Sequence, residues 1–383
     1  MTVPPKRADV VVVGGGAIGT SVAFHLAEAS VDVCLLERDA LSSGSTSRAA
    51  GGVRTQFSDP LNVEIGLHGV EAFSRFAERP GGEIDFRQVG YLFLLDAPEA
   101  VETFERNVAV QNALGVPSRL VDVDEAGRLS PLAGLDGVLA ATFCPLDGHA
   151  DPEAVAQGYA AGARQHGATV LTGSPATTVD VTNGKVRGVV TEHGTIETET
   201  VVCAAGVWSP ALARTAGVEL PVEPVLREVV TTAPVDGLPE SIPMTVDFST
   251  GFYFHREGPG LLIGMADRDQ PAGFDEPTDP GWLERVIEVA ARRAPDFLEM
   301  GIAHGWKGYY EVTPDHNGLV GEAEHPSRFL YATGFSGHGF MQAPAVGEIV
   351  RDLVLGREPF IDVGPLSVER FAEAAPRPEH NVI

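Results

Sequence analysis

The chain has 383 residues, more than one domain usually holds, and this length suggests two. Hydrophobic residues make up 44% of it, ample for a core, and 53 acidic against 27 basic residues give a formal net charge of −26. That acidity argues against nucleic acid and against an anionic membrane surface as partners. Cys34, Cys144 and Cys203 are too scattered for a disulfide frame or a zinc site. The first ten residues are too short and polar for a signal peptide, and no apolar run approaches the roughly 20 residues of a membrane span. A soluble cytoplasmic protein is therefore expected.

In chain order, the first element is a strand made of four valines, Val10–Val13. So short a β-branched run without alternation suits a strand covered on both faces. Gly14, Gly16 and Gly19 follow as G-x-G-x-x-G, then a helix with Val22, Leu26 and Ala29 on one side, then a strand over 31–36 that ends at Glu37. Gly14 permits a tight turn, Gly16 lets backbone approach a pyrophosphate, and Gly19 lets helix and strand pack closely. The helix N-terminus offers N–H groups to phosphates. Glu37 falls near the roughly 20-residue offset of a carboxylate that holds ribose hydroxyls, and it repels a 2′-phosphate.

Residues 42–57 form a loop of small and hydroxylated side chains suited to a second wrap around phosphates, with Arg48 and Arg54 as its only charges. Either arginine can meet a phosphate or a substrate carboxylate. A helix is expected over 62–77. From Phe86 the pattern changes to a strand (89–95), helices (97–114 and 124–129) and a strand (137–143), a first visit to a second domain. A helix with proline in its first turn runs to Gln165, a hairpin turns at Asn183-Gly184, and 200–204 returns to the parallel sheet. The chain leaves again for strands over 227–232, 251–255 and 261–265 and a helix over 282–293. A strand over 329–332 then leads through Gly334 to His338 into a helix over 339–355. The tail from Pro376 reads as loosely held. The expected architecture is α/β, with a discontinuous dinucleotide domain (1–84, 145–223, 312–383) and an interleaved α+β domain on a mainly antiparallel sheet (85–144, 224–311).

Strand, glycine turn and helix recur at Gly14, near Gly206 and near Gly334, which suggests a large cofactor held at several points. The motifs GGGAIG, AAGVWS, TPD at Thr313 to Asp315 and GFSGHGF at Gly334 to Phe340 resemble the D-amino acid oxidase superfamily of flavoproteins. Within it the chain is similar to the sarcosine oxidase and glycine oxidase group. Residues 249–267 and 338–348 look most like β subunits of heterotetrameric sarcosine oxidase and of dye-linked L-proline dehydrogenase. The resemblance implies a glutathione-reductase-type Rossmann domain with FAD along Gly14, Gly16, Ala17, Ile18 and Gly19. It puts Glu37 on the adenosine ribose and Arg38 beside the adenine. Ser45, Thr46 and Ser47 would meet the pyrophosphate, with Ala50, Gly51 and Gly52 adjoining. Ala205, Gly206 and Trp208 would close over the cofactor. Gly334, Gly337, His338, Gly339, Phe340 and Met341 would bring the last helix N-terminus to the flavin pyrimidine, where reduced flavin carries negative charge.

Three departures stand out. The cysteine that tethers flavin in monomeric sarcosine oxidases is Gly308, and the tethering histidine of dimethylglycine-type enzymes falls at Ser47-Arg48, so FAD is expected to be non-covalent. The lysine that assists oxygen is Leu262, which favours a slow oxidase or a dehydrogenase. The lysine that clamps substrate carboxylate is Met341. Arg54 is then the first candidate cation, followed by Arg227 or Arg256. The implied chemistry is hydride transfer from the α-carbon of a secondary amine, L-proline or sarcosine in type, to flavin N5. Tyr253 and His255 share one face of their strand and are expected to meet substrate, with Trp306 and Tyr309 as walls and His338 and Arg54 as catalytic groups. Met244 and Met265 read as packing. Alternatives are an oxidase of another amino acid or biosynthetic amine, a non-catalytic assembly protein that keeps the FAD fold, and an NAD-only dehydrogenase. Oxygen or an electron carrier is the expected acceptor, and partner subunits fit the resemblance.

Overall fold

The computed structural model describes residues 4–267, 269–274, 279–373 and 377–382. Val10–Val13 lies inside a six-stranded sheet, paired in parallel with Val33–Leu36 on one side and Thr200–Cys203 on the other. Thr169–Leu171 extends the sheet beyond Val33–Leu36, and Phe329–Thr333 extends it beyond Thr200–Cys203. Leu319–Glu322 closes that edge in antiparallel sense. None of the four valines is more than 7% exposed, which the unalternated run requires of a strand covered on both sides.

One cover consists of helices Ala17–Glu28, Pro152–Gln165 and Gly339–Leu355, and Val10 and Val12 pack on that side. The other cover is helix Ser209–Thr215 and a small antiparallel sheet of Ala176–Thr182, Lys185–Thr191 and Gly194–Glu197, where Val11 and Val13 pack. The hairpin in that sheet turns at Asn183 and Gly184, both with positive φ (53° and 70°), as the mirror-image two-residue turn demands.

The second large sheet runs Ile302–Val312, Glu223–Thr232, Gly260–Met265, Phe252–Glu257, Met244–Asp247, Tyr91–Leu95, Ala140–Cys144, Arg119–Val121. It is antiparallel except where Met244–Asp247 lies parallel to Tyr91–Leu95. Alternation sends Phe252 and Phe254 against helix Trp282–Arg293, together with Leu261 and Ile263. Tyr253 and His255 therefore occupy the opposite face.

Two expectations change. The helix over 62–77 starts at Pro60, where the Asp59 carboxylate accepts the Leu61 N–H at 2.8 Å, and it ends at Ser74. The tail is not loose where it is described (Pro376 lies outside the described residues). Glu379 is 1% exposed and Asn381 is fully buried. Glu379 accepts hydrogen bonds from Ser58 and Asp59 backbone N–H groups and from Asn62, and Arg377 pairs with Asp59. A run of polar residues looks loose in sequence, but here its polar atoms find buried partners.

Candidate cofactor and substrate site

A cavity of about 410 Å³ spans the ground between the two large sheets. It opens at the carboxyl ends of the parallel strands, where ligands of such sheets bind. Gly14 stands at φ +117°, and a methyl group there would lie 2.2 Å from the Ala204 carbonyl oxygen. A methyl group on Gly19 would lie 1.9 Å from the Gly14 oxygen, so this glycine serves helix–strand contact. Glu37 reaches back to accept the Gly15 N–H at 2.6 Å, which fixes its carboxylate at the rim of the turn. Helix Ala17–Glu28 has no side-chain cap of its own; Thr46 from the second wrap accepts the Ala17 N–H at 3.1 Å instead. Ser45 donates to the Tyr309 carbonyl at 2.7 Å and ties the wrap to the second sheet. Ser42 borders the cavity with a buried hydroxyl that has no hydrogen-bond partner among the described residues.

Across the cavity, the Arg38 guanidinium lies 4.6 Å from the centre of the Trp208 ring, and Trp208 stacks on Phe274 at 6.0 Å. Pro175 and Thr177 border the same end. The inner end is a chamber walled by the second sheet. Tyr91, Met244, Tyr253 and Tyr310 border it, with the side chains of Arg54 and Arg227. Arg54 is 1% exposed. It donates to the Gln56 and Asn381 carbonyls and, at 3.1 Å, to His338 Nε2, and its guanidinium stacks 4.2 Å over Phe57. Burial, reinforced by the charge on Arg54, holds the His338 imidazole well below its ordinary pKa. His338 is therefore neutral and carries its proton on Nδ1. Burial also raises the phenols of Tyr253 and Tyr310, which stay protonated.

The cavity brings together most of the expected residues: Gly14, Gly16, Ala17 and Ile18; Glu37 and Arg38; Ser45 and Thr46; Ala50, Gly51 and Gly52. Ala205, Gly206 and Trp208 border it too, as do Gly337, His338, Gly339, Phe340 and Met341. Arg54, Arg227, Tyr253 and Tyr309 line its inner part. Five expected residues do not border it. Gly19 faces the strand. Ser47 is exposed outside it, its N–H given to the Ser42 carbonyl at 3.0 Å. Gly334 sits beneath the turn against Thr313. His255 shares the face of Tyr253 but is covered: its Nε2 meets the Ala50 carbonyl at 3.0 Å and its ring lies 4.4 Å from that of His149. Trp306 donates to the Arg48 carbonyl at 3.1 Å, outside the wrap. Leu262, paired with His255 and 2% exposed, is likewise off the cavity, and Arg256 is occupied by the Pro239 and Gly258 carbonyls. Met265 packs under Trp282 as expected, but Met244 borders the chamber and is not only packing. The TPD turn is structural: Asp315 is buried and held by both ends of the Arg370 guanidinium at 2.8 and 2.9 Å. Sequence reasoning passed over Tyr91, Tyr310 and Pro175 to Thr177. Aromatic residues within strands carry no signal that separates a cavity wall from a core.

These residues fit FAD. The methyl-free Gly16 edge and the Ser42 hydroxyl, unpartnered among the described residues, suit a pyrophosphate, Glu37 a ribose, and the reach from Arg38 to the chamber an extended two-ring cofactor. The comparisons agree. The chain is 34% identical to L-proline dehydrogenase from P. horikoshii, with a TM-score of 0.92 over 96% of this chain and 99% of that one. It is 26% identical to glycine oxidase from Geobacillus kaustophilus, with a TM-score of 0.86 over 96% and 99%. Among curated sequences it is 29% identical to mitochondrial dimethylglycine dehydrogenase of Rattus norvegicus, over 97% of this chain and 46% of that protein. It is 32% identical to FAD-dependent oxidoreductase domain-containing protein 1 of Bos taurus, over 99% and 88%. The chain thus spans less than half the length of the dimethylglycine dehydrogenases it matches. The DAO family model, FAD dependent oxidoreductase, matches residues 9–353, and the chain belongs to that family of FAD-dependent oxidoreductases.

Proposed function

We propose that this enzyme oxidises the C–N bond of a small secondary amine that carries a carboxylate, L-proline or sarcosine in type. The carrying observation is the chamber: a buried guanidinium, Arg54, and a half-buried one, Arg227, with Tyr91, Tyr253, Tyr310 and Met244, in one cavity with the glycine turn. The cations suit a carboxylate, and the aromatic walls suit a small ring or an N-methyl group. When bound, FAD supplies the acceptor for the hydride that leaves the carbon next to nitrogen. The protein's part is to bind, orient and exclude water. His338 acts as a neutral acceptor that holds the Arg54 guanidinium in place. The N-terminus of helix Gly339–Leu355 turns its dipole toward the cavity and favours negative charge there.

Cys34, Cys144 and Cys203 are all buried away from the cavity, which supports a non-covalent flavin. The likeness to L-proline dehydrogenase from P. horikoshii favours an electron carrier over oxygen as acceptor. Partner subunits would supply or accept that carrier. The domain pairing 1–84, 145–223, 312–383 and 85–144, 224–311 fits a cofactor half and a substrate half. The reading is tested by reduction of a redox dye with L-proline, sarcosine, dimethylglycine and glycine. Turnover with one of the first two, above that with glycine, is the expected result. No turnover with any amine sinks it in favour of a protein that keeps the fold without the chemistry.

A further inference from the structure

We infer that Arg227, rather than Arg54, seats the substrate carboxylate, with the Tyr253 and Tyr310 hydroxyls beside it. The inference rests on the amine-oxidising reading above and assigns a role within the same chamber.

A guanidinium grips a carboxylate through two parallel N–H bonds, from either its Nε/Nη2 edge or its Nη1/Nη2 edge. Both edges need a hydrogen of Nη2. In Arg54 both Nη2 hydrogens are already given, one to the Asn381 carbonyl and one to His338 Nε2, and Nη1 donates to the Gln56 carbonyl at 2.6 Å. Arg54 thus has no complete edge left. It is built into the chamber floor, between Phe57 and the segment that carries Asn381.

Arg227 is the reverse case. Its only hydrogen bonds among the described residues run from Nη1, to the Leu226 and Asp267 carbonyls at 3.2 and 3.3 Å. Its Nε is buried with no partner, and no ion pair or hydrogen bond reaches Nη2 among the described residues. The Nε/Nη2 edge is whole. Strand pairing sets Arg227 opposite Gly308, which brings no side chain of its own over it. The guanidinium lies 5.3 Å from the centre of the Tyr310 ring. Neither the Tyr253 nor the Tyr310 hydroxyl has a hydrogen-bond partner among the described residues, although both residues border the cavity. A half-buried cation with a free edge and a buried Nε, beside two idle phenols, calls for an anionic ligand with acceptor oxygens.

The test uses the FAD-loaded protein and tetrahydrofuran-2-carboxylate, which keeps the ring and the carboxylate of L-proline but has no oxidisable nitrogen. Binding is read as a perturbation of the flavin visible spectrum. Wild type is expected to bind it, Arg227→Gln to bind about 100-fold more weakly, and Arg227→Lys to recover part of the loss, because a single ammonium keeps charge but not the paired edge. Tyr253→Phe is expected to weaken binding several-fold with flavin content unchanged, and it serves in place of Arg227→Gln should that variant fail to hold FAD. Wild-type affinity in Arg227→Gln, or no binding by wild type at millimolar ligand, overturns the inference. Bleaching of wild type by L-proline or sarcosine separately tests the amine reading. Bleaching with Arg227→Gln unaffected sinks the inference alone; an Arg227-dependent carboxylate site without bleaching by any amine sinks the reading alone.

Discussion

Glu379→Ala is predicted to destabilise the protein severely, although it lies beyond the last helix. The carboxylate is 1% exposed and accepts five donors. These are the Ser58 N–H at 2.9 Å and hydroxyl at 2.7 Å, the Asp59 N–H at 3.1 Å, Asn62 Nδ2 at 3.0 Å and the Asn381 N–H at 2.9 Å. Alanine strips all five of their acceptor. A buried donor left without a partner costs about 1–3 kcal/mol, and removal of a buried, well-bonded charge about 3–5 kcal/mol in total, because water and relaxation recover part of the sum. With an unfolding entropy of about 2.1 cal/mol/K per residue over 383 residues, each kcal/mol shifts the midpoint by about 1.2 °C, so the melting temperature falls by about 4–6 °C. Burial alone would raise the Glu379 carboxyl, but the Arg54 charge and the Ser58 hydrogen bonds hold it below the usual carboxylate range. A depressed folded-state value means that its stabilisation is full above the unfolded pKa of about 4.3 and is lost as pH falls through the folded value. Glu379→Gln should therefore flatten the acid side of the stability profile and leave the alkaline side parallel to wild type. Thermal scans of the apoprotein and FAD-loaded protein between pH 3 and 8 measure both effects. A melting temperature within about 1 °C of wild type for Glu379→Ala would refute the reasoning, because five buried donors cannot lose their acceptor without cost.

Two further outcomes follow from other sites. Asp147 is fully buried, and burial raises its carboxyl to about 6 despite hydrogen bonds from Thr55 and Gln56. A raised acid is stabilising only below the unfolded value of about 3.8, so wild type should lose about 3 kcal/mol relative to Asp147→Asn as pH rises from 4 to 7, read from urea midpoints; parallel profiles for the two proteins would contradict this. Gly14→Ala should reduce bound flavin per protein at least tenfold, since its methyl group would sit 2.2 Å from the Ala204 oxygen at φ +117°; normal flavin content on the purified variant would show that the turn can yield.

The glycine turn was legible because each of its signals is local: four valines, three glycines and a carboxylate at a fixed offset. Helices Trp282–Arg293 and Gly339–Leu355 were legible for the same reason, from apolar spacing and from glycines at a start. What failed depends on contacts distant in sequence. The alternation that groups Tyr253 with His255 is correct, yet the loop at Ala50 and the ring of His149 cover His255 and leave Tyr253 on the cavity. Met244 looked like packing because its chemistry is apolar; only the parallel pairing of its strand with Tyr91–Leu95 brings it beside Gly52. The competition between Arg54 and Arg227 was invisible, since it turns on Asn381, more than three hundred positions from Arg54, taking the hydrogens that a carboxylate would need.

The central claim is that a carboxylate-bearing secondary amine gives up a hydride in this cavity. Its most direct test is the visible spectrum of the FAD-loaded protein during anaerobic titration with L-proline and then sarcosine. The account predicts loss of the oxidised flavin band with one of them. It also predicts slow return of the band when air is admitted, as an electron carrier in place of oxygen as acceptor implies. A band that neither amine bleaches, in a protein that dithionite reduces normally, would contradict it.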